Sequence, residues 1–506
     1  MLTEKWKKLQ NGSDIRGIAL EGIEGQHVNL TSDIVEKIGA AFVVWLSGKM
    51  SVKPETLIVA VGNDSRLSTE ALRAAAIKGI SSMGSKVINC GLSSTPAMFM
   101  TTVTPGYEYD GSIMLTASHL PYNRNGLKFF TKDGGLEKGD ITAVLEIAEA
   151  SKFTYSPKVG QEVSLDFISV YAKGLVDNIR SSLKIDKPLE GLKIIVDAGN
   201  GAGGFFAEKV LKPLGACVDG SQYLEPDGHF PNHMPNPEDK DAMESIQKAV
   251  INNKADFGII FDTDVDRAGA VDKHGKEINR NRIIALISAI AIEKHPGATI
   301  VTDSITSSGL KSFIENKLGG VHHRFKRGYK NVINEAIRLN NEGIFCPVAI
   351  ETSGHGALKE NYFLDDGAFL IAKILVKMAE LKQKGQTIDE LIADLEEPLE
   401  AEEYRMNIIT EEFKEYGNNI IKDLEIYASK QQGWVIEPKN FEGIRVSFNK
   451  ENGSGWFLLR LSLHDPLIPL NIESNQAGGV KLIVSKLLAF LAQYDKLDIS
   501  SLKGMD

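Results

Sequence analysis

The side chain in this sequence best suited to nucleophilic or phosphoryl-carrying chemistry is the hydroxyl of Ser118. The apolar run 113–115 is typical of the end of a buried strand, and Pro121 prevents a helix from starting directly after it. Ser118 therefore lies in a loop, with His119 beside it and Lys128 further along. A hydroxyl in such a place can attack an electrophile or carry a phosphoryl group, although a serine in an ordinary turn shows the same local pattern.

The backbone near this serine carries residues that suit tight turns. Asn123, Asn125 and Gly126 tolerate a positive φ, so we expect them to shape a defined loop. Near the start of the chain, segment 12–18 contains two glycines and should form a turn that presents Arg16. A solvated surface arginine is the alternative interpretation of that side chain.

A second chemical feature is the set of aspartates Asp262, Asp264 and Asp266, which follow the apolar run Phe257–Phe261. Alternate residues of an extended segment point the same way, so the carboxylates should converge. Like charges this close need a cation between them, and oxygen ligands favour Mg²⁺. An EF-hand is excluded, because Arg267 stands where that loop needs glycine. The apolar run disfavours the remaining alternative, an acidic turn in solvent.

Three further segments carry polar side chains at the ends of apolar runs. Segment 325–331 is a basic turn that contains a glycine. Segment 349–356 ends in alternating groups that suit sugar hydroxyls or, equally, a capped helix start; these groups are Glu351, Ser353 and His355. Arg460 and Ser462 end a later strand, where they could bind a phosphate or form the outward face of an edge strand.

Composition limits the function classes. The 506 residues are enough for three or four domains, and a net charge of −10 argues against nucleic acid or an anionic membrane as a partner. The three cysteines have no metal-ligand spacing, which suits a reducing cytoplasm, and no apolar run is long enough to span a bilayer. We expect a cytoplasmic protein that is a monomer or a small homo-oligomer.

The order of elements predicts an α/β fold: three tandem, similar α/β/α domains and a smaller C-terminal α+β domain. Each of the first three domains contains an apolar strand, a small polar turn and a helix. Segment 153–165 reads as a linker and the acidic segment 395–403 as a connector. The predicted boundaries are 1–155, 156–277, 278–390 and 391–506.

Together these segments resemble the α-D-phosphohexomutases, the phosphoglucomutase/phosphomannomutase family, over nearly the whole chain. Segment 116–128 is similar to the family's phosphoserine loop, with Leu120 where Asn is usual, and segment 262–267 to its metal loop, with Thr263 in place of Gly. Segment 226–238 matches a further family stretch, and Arg16 and segment 61–66 also fit. Segment 351–355 is similar to the sugar-binding loop.

The resemblance implies four domains around a central cleft, each supplying one loop. It also implies a mechanism in which phosphorylated Ser118 exchanges its phosphoryl group with hexose phosphates through a hexose 1,6-bisphosphate, with Mg²⁺ as cofactor. The implied catalytic residues are Ser118, Lys128, Arg16, His119 and His355. The implied metal ligands are Ser118, Asp262, Asp264 and Asp266. The implied substrate-binding residues are Arg267, Arg327, Gly328, Tyr329, Lys330, Glu351, Ser353, Arg460, Ser462 and His464.

The sequence departs from the family pattern most clearly in the last domain. Leu463 and His464 replace a flexible Gly or Asn and a Thr of the phosphate loop. A stiffer loop could favour release of the bisphosphate, so a hexose 1,6-bisphosphate synthase, rephosphorylated by another donor, is an alternative to the mutase. An inactive sugar-phosphate sensor is a third possibility, which the intact Ser118, Lys128 and aspartates disfavour.

Overall fold

The computed structural model describes residues 2–462 and 465–503, and it confirms the predicted α/β class. Sheets with flanking helices are followed by a C-terminal domain built on an antiparallel sheet. The chain forms two compact units. The first holds the described residues up to Ile283 together with Ser353–Glu390, and the second holds Ile284–Thr352 together with the described residues from Leu391 onward. Within the described residues, no helix has the length and apolarity needed to cross a membrane.

The first domain is a mixed sheet with helices on its faces. Its strands are β1 Gln10–Asn11, β2 Asp14–Ile18, β3 Ile58–Asn63, β4 Lys86–Leu92, β5 Gly111–Leu115, β6 Arg124–Thr131, β7 Gly134–Gly135 and β8 Glu162–Ser164. Its helices are α1 Glu4–Lys7, α2 Ser32–Met50, α3 Thr69–Ser82, α4 Thr95–Met100 and α5 Lys138–Ala150. Thr31 caps α2 by accepting a hydrogen bond from the backbone N–H of Ile34, as its position before an amphipathic run predicts.

Strand pairing in this sheet carries the serine loop to one edge of the domain. Strands β3 and β5 run parallel, so the turn after β3 and the loop after β5 emerge together. Strands β5 and β6 are antiparallel, with Met114 opposite Lys128. Ser118 and Lys128 therefore belong to one long hairpin, in which Ser118 lies in the connection and Lys128 on the returning strand.

The predicted linker 153–165 needs correction. Its last part forms β8, which pairs in parallel with β4 and extends the first sheet. The polar sequence of this segment does not indicate a strand, because an edge strand buries little side-chain area and depends mainly on backbone hydrogen bonds.

The second domain presents the aspartates at the turn of another hairpin. Its elements are α6 Phe167–Leu183, β9 Ile194–Asp197, α7 Lys240–Asn253, β10 Phe257–Phe261, β11 Ala268–Asp272 and β12 Glu277–Ile278. Strand β10 is buried along its whole length, and it pairs in parallel with β9 and antiparallel with β11. The six residues between β10 and β11 contain Asp262, Asp264 and Asp266.

Segment 281–383 is shared between the two units. Its elements are α8 Asn281–Lys294, β13 Thr299–Thr302, α9 Ser308–Ser312, β14 Val321–Arg324, α10 Tyr329–Asn341, β15 Val348–Ile350, β16 Gly356–Leu358 and α11 Gly367–Gln383. In the second unit, β13 pairs in parallel with β14 and with β15. In the first unit, α11 packs against α6, and its N-cap Asp366 accepts a hydrogen bond from Tyr171.

The C-terminal domain contains an antiparallel sheet with strand order β17–β21–β20–β19–β18 among the described residues. Its elements are β17 Glu400–Asn407, α12 Phe413–Ala428, β18 Trp434–Ile436, β19 Ile444–Phe448, β20 Gly455–Leu459, β21 Leu467–Ser474, α13 Gly479–Leu491 and α14 Ser500–Lys503. Residues 400–403 of the expected acidic connector belong to β17, which pairs with β21 along its length, so that expectation was wrong for this part; residues 395–399 form no helix or strand. Arg460 follows β20, an interior strand, which rules out the edge-strand alternative for this residue.

A half-buried glutamate in this sheet, Glu473, predicts a pH dependence of stability. Burial raises the pKa of Glu473 from 4.5 to about 7, against the opposing charge of Arg445. Between these values the folded state binds more protons than the unfolded state, so stability should fall as the pH rises. We expect the free energy of unfolding to drop by on the order of 2 kcal/mol between about pH 5 and pH 8.

Thermal or urea unfolding across this pH range checks the prediction. Glu473→Gln should flatten the slope. A Glu473→Gln slope equal to that of the wild type would show that another group titrates.

Candidate active site

The three aspartates form a buried acidic cluster. Asp262, Asp264 and Asp266 are at most 1% exposed, and one carboxylate oxygen from each lies within 4.8 Å of the other two. The predicted convergence is therefore present, but its stated cause was wrong. The segment is a turn rather than an extended strand, and Val265 takes a φ of +66° in the left-handed region. This backbone reversal, which is unusual for a β-branched residue, turns the flanking carboxylates inward.

Two cations partly neutralise the cluster. The Lys128 ammonium contacts Asp264 at 3.1 Å and also contacts Asp266. The Arg267 guanidinium donates to Asp262 from Nε at 3.1 Å and from Nη2 at 3.0 Å. Three carboxylates thus face two cationic side chains in a region almost closed to solvent.

The electrostatics of the trio indicate room for a further positive charge. Burial and the neighbouring charges of Asp266 and Asp264 raise the pKa of Asp262 well above its ordinary value. Burial would also raise the pKa of Asp266, but the charges of Lys128, His355 and Arg267 together outweigh it and hold that pKa below its ordinary value. The Oδ1 atoms of Asp264 and Asp266 are buried without a hydrogen-bond partner among the described residues. Such oxygens are costly unless a cation is available to them, so the donor set fits a hard divalent ion.

Ser118 points its hydroxyl at this cluster. Its Oγ donates to Asp262 Oδ2 at 3.0 Å and accepts from Arg267 Nη2 at 3.1 Å. The residue is 3% exposed and has a φ of +51°. The predicted positive φ values of Asn123, Asn125 and Gly126 are not found, and the left-handed conformation belongs to the serine itself.

Gly126 has a different reason to be glycine. A Cβ at this position would lie 2.3 Å from the carbonyl oxygen of Ile15 on the adjacent strand β2. The residue lies within β6 and allows the close approach of two strands, which explains the glycine without a turn.

His119 is neutral in this setting. Its Nδ1 lies 3.3 Å from Ser118 Oγ and accepts a hydrogen bond of 2.6 Å from Arg267 Nη2, because a guanidinium can only donate. Burial, followed by the charges of Arg267 and Arg16, lowers the pKa of His119 to about 3. The imidazole can therefore bind and orient, but it carries no proton at Nδ1 to give away.

His355 has the opposite character. Its Nδ1 donates to Asp365 at 2.5 Å and lies 3.9 Å from Asp266. Burial alone would lower the pKa of His355, but Asp365 and Asp266 outweigh it and raise that pKa to about 9. The side chain is a proton donor held beside the aspartates.

The loop that carries His355 is fixed to the metal loop through the backbone. His355 forms an antiparallel bridge with Arg267, and a Cβ at Gly354 would lie 2.8 Å from the carbonyl oxygen of Ala268. The helix start considered from the sequence is absent here, because strand β16 begins directly after His355.

Arg16 lies in a strand rather than in the expected turn. It belongs to β2, opposite Gly126 of β6, and its Nη2 forms an ion pair of 3.1 Å with Asp14. The residue is half-buried, and its charge contributes to the lowered pKa of His119. The solvated-surface alternative for Arg16 is therefore wrong.

In the second unit, the predicted basic turn forms the entry to helix α10. The backbone N–H of Gly328 donates to Glu351 Oε1 at 2.6 Å, and the Arg327 guanidinium lies 3.7 Å from the buried carboxylate of Asp303. Gly328 is the N-cap, with a φ of +107°, and the half-buried residues Tyr329 and Lys330 begin the helix.

Arg460 lies within electrostatic reach of Arg327. Burial and then the charge of Arg327 lower the pKa of Arg460, while Glu442, Glu403 and Asp303 oppose this effect. The Nε of Arg460 is buried without a hydrogen-bond partner among the described residues. Two guanidinium groups that repel one another favour an anion beside them.

The remaining predicted substrate-binding residues are Ser462, Ser353 and His464. Ser462 Oγ accepts from the backbone N–H of Asp465 at 3.2 Å, so the hydroxyl is part of its own turn. Ser353, in the first unit, is 8% exposed and its Oγ has no partner among the described residues. His464 lies outside the described residues.

Sequence reasoning missed three side chains that position this site. Thr95, at the start of α4, donates to Asp264 from its hydroxyl and its backbone N–H. Asp365 orients His355, and Thr116 Oγ1 accepts from the backbone N–H of Ser118 at 2.8 Å. Thr116 was signalled by its place two residues before the serine; Thr95 and Asp365 come from distant segments and carry no local pattern.

Comparison with known proteins identifies the family. Models described as "Phosphoglucomutase/phosphomannomutase, alpha/beta/alpha domain" I, II and III match residues 7–154, 169–275 and 279–399. The chain belongs to the phosphoglucomutase/phosphomannomutase family. It has three α/β/α domains of this family followed by a C-terminal sheet domain.

Relatives in this family align along almost the whole chain. The phosphoglucomutase of Neisseria gonorrhoeae is 30% identical over 93% of this chain and 95% of its own length. The phosphomannomutase of Salmonella montevideo is 30% identical over 94% of this chain and 98% of its own length. A phosphoglucomutase/phosphomannomutase family protein of Burkholderia thailandensis has a crystal structure that aligns with a TM-score of 0.77 at 25% identity, covering 98% of both chains.

Proposed function

We propose that this protein is a phosphohexomutase that interconverts hexose 1-phosphate and hexose 6-phosphate through a phosphorylated Ser118. The observation that carries the proposal is the position of Ser118 Oγ, 3.0 Å from a buried aspartate trio and 3.1 Å from Arg267. A phosphoryl group on this oxygen would carry about two negative charges beside Lys128 and Arg267. Family membership and relatives named phosphoglucomutase and phosphomannomutase support the same activity.

We further propose that the trio holds Mg²⁺ together with an oxygen at Ser118. The support lies in oxygen-only donors and in the unpartnered Oδ1 atoms of Asp264 and Asp266. When bound, the ion would neutralise phosphoryl charge and polarise the P–O bonds. Lys128 contacts two of these carboxylates. With the ion bound, its ammonium would interact less strongly with them and would stabilise the negative charge of the transferring phosphoryl group.

The transfer itself consists of two matched steps. In the first, the bond between phosphorus and Ser118 Oγ breaks as phosphorus bonds to a sugar hydroxyl oxygen, and the hydroxyl proton leaves to a base while Ser118 Oγ regains a proton. In the second, the bond between the other phosphorus and its sugar oxygen breaks as that phosphorus bonds to Ser118 Oγ; Ser118 Oγ gives up its proton, and the sugar oxygen gains one. Arg267 holds the serine oxygen in both steps, and protonated His355 is suited to supply a proton. Such transfer depends on positioning and charge stabilisation rather than on covalent chemistry by the protein.

In the second unit, we propose that Arg327 and Arg460 bind a substrate phosphate and that Glu351 binds sugar hydroxyls. Ser353, in the first unit, is proposed separately as a residue that binds sugar hydroxyls. Arg327→Ala or Arg460→Ala should raise KM by roughly 10- to 100-fold, because a charge-assisted hydrogen bond contributes about 1.5–3 kcal/mol. Steady-state kinetics with hexose 1-phosphate measure this effect. Arg405 is an exposed strand residue of the same unit, so Arg405→Ala should leave KM unchanged. An unchanged KM in both site variants would remove these arginines from the phosphate site.

The remaining proposals concern domain boundaries, location, assembly and activation. We propose the domain boundaries given above, action in the cytoplasm as a monomer or small homo-oligomer, and hexose 1,6-bisphosphate as activator. No observation favours the bisphosphate synthase or the sensor. The synthase depended on Leu463 and His464, which lie outside the described residues, and the assembled Ser118 site opposes an inactive sensor.

The activity is tested by supplying glucose 1-phosphate with Mg²⁺ and a trace of glucose 1,6-bisphosphate. Glucose 6-phosphate and bisphosphate are followed together. Rapid isomerisation with constant bisphosphate supports the mutase. Accumulation of bisphosphate from a donor with slow isomerisation would instead indicate a synthase, and the absence of any transfer from glucose or mannose phosphates would refute the proposed function.

A further inference from the structure

The guanidinium of Arg66 lies enclosed beneath the Ser118 loop. Its side chain and that of Asp64 are fully buried and form an ion pair of 3.2 Å between Nε and Oδ2. The Asp64 backbone N–H donates to the carbonyl oxygen of Leu115 at the end of β5. The turn after β3 is thereby fixed to the strand from which the Ser118 loop departs.

The other N–H groups of Arg66 bond to the backbone of the loop. Nη2 donates to the carbonyl oxygens of Ser118 and of Leu120, the second at 2.6 Å. Nη1 donates to the carbonyl oxygens of Pro121 at 2.8 Å and of Arg124 at 3.0 Å. One side chain therefore satisfies four carbonyl groups along a single turn. Since buried carbonyl groups without donors are costly, this pattern selects one loop conformation.

A loop from the second domain closes over Arg66 from the other side. The ring of Phe230 lies 5.4 Å from the guanidinium carbon. A Cβ at Gly228 would lie 2.6 Å from the Ser65 carbonyl oxygen and 2.5 Å from the Leu67 nitrogen, so glycine permits the close approach. Both residues lie in segment 226–238, whose match to the family was noted from the sequence without a role.

We infer that Arg66 is a positioning residue for phosphoryl transfer. Its bonds to the loop carbonyls hold Ser118 in the left-handed conformation that directs Oγ to Asp262 and Arg267. A non-glycine residue at a φ of +51° keeps that conformation only where its surroundings impose it. Arg66 donates to the carbonyl oxygen of Ser118 itself, so it acts at the residue that carries the strain. The inference rests on the proposed role of Ser118 as the phosphoryl carrier.

The test compares Arg66→Lys and Arg66→Ala with the wild-type enzyme. Lysine retains the charge but cannot reach four carbonyl groups in a fixed plane. Since a displacement of about 1 Å at a reacting atom can cost about 100-fold in rate, we expect kcat to fall by roughly 30- to 100-fold. KM should change by less than about 3-fold, since the groups that bind substrate are untouched. Guanidinium ion at millimolar concentration should partly restore kcat in Arg66→Ala.

A control variant and defined outcomes separate this role from general stabilisation. Arg180 also donates to two backbone carbonyl groups, of Asp186 and Pro213, far along the chain from the serine loop. Arg180→Lys should therefore leave kcat unchanged. A kcat within about 3-fold of wild type in both Arg66 variants would overturn the inference. Loss of the folded state in both variants would also overturn it. So would a result in which guanidinium restores thermal stability but not kcat. Wild-type protein without any transfer would instead overturn the proposed function.

Discussion

Replacing Ser118 with alanine should abolish phosphoryl transfer, lowering the rate by at least about 10⁴-fold. The substitution removes the oxygen that lies 3.0 Å from Asp262, and no other hydroxyl donates to that carboxylate among the described residues. A coupled assay for glucose 6-phosphate formation from glucose 1-phosphate measures the loss. Incorporation of labelled phosphate into the protein should disappear in parallel, because the acceptor is gone.

The matched control is Ser112→Ala. Ser112 is fully buried on β5, and its hydroxyl donates to the carbonyl oxygen of Met98 at 2.7 Å. Its loss should cost about 1 kcal/mol of stability and leave the transfer rate within about 3-fold of wild type. Retention of transfer by Ser118→Ala would remove this residue from the mechanism.

Asp264→Asn should weaken metal activation, raising the Mg²⁺ concentration for half-maximal activity by about 10- to 100-fold. Asp264 is fully buried, and its Oδ1 lacks a hydrogen-bond partner among the described residues. The amide keeps the size of the side chain and removes the charge that would attract the ion. Mg²⁺ titrations of activity measure the change, and calorimetric titration of the protein with Mg²⁺ measures it without turnover.

Asp272→Asn serves as the control for this prediction. Asp272 is a buried aspartate of the same domain, but its carboxylate accepts backbone N–H groups of His274 and Lys276 at 2.9 Å. This variant should lose stability without a shift in the Mg²⁺ midpoint. Equal midpoints for the wild type and Asp264→Asn would place the ion elsewhere.

The α/β fold and the principal residues were predictable because their signals are local. The aspartates stand out because charge directly follows a buried strand. The edge strands β8 and β17 were not predicted, because they carry no such local signal. Their stability comes from pairing with β4 and β21, which no local pattern of side chains reports.

The site was less predictable where its geometry depends on contacts between distant segments. The residue types predicted a positive φ at nearby Asn and Gly residues instead of at Ser118. Residue type indicates which backbone conformations a residue tolerates, whereas contacts with the rest of the fold decide which conformation it adopts. The roles of Thr95 and Asp365 likewise arise only once α4 and segment 353–367 fold against the metal loop.

The most direct test of the central claim is the mass of the protein after incubation with glucose 1,6-bisphosphate and Mg²⁺, followed by peptide sequencing. The account predicts one added phosphate on the peptide that contains Ser118, which leaves when glucose 1-phosphate or glucose 6-phosphate is added. Phosphate on a different residue, or turnover of sugar phosphates by a protein that never gains phosphate at Ser118, would contradict it.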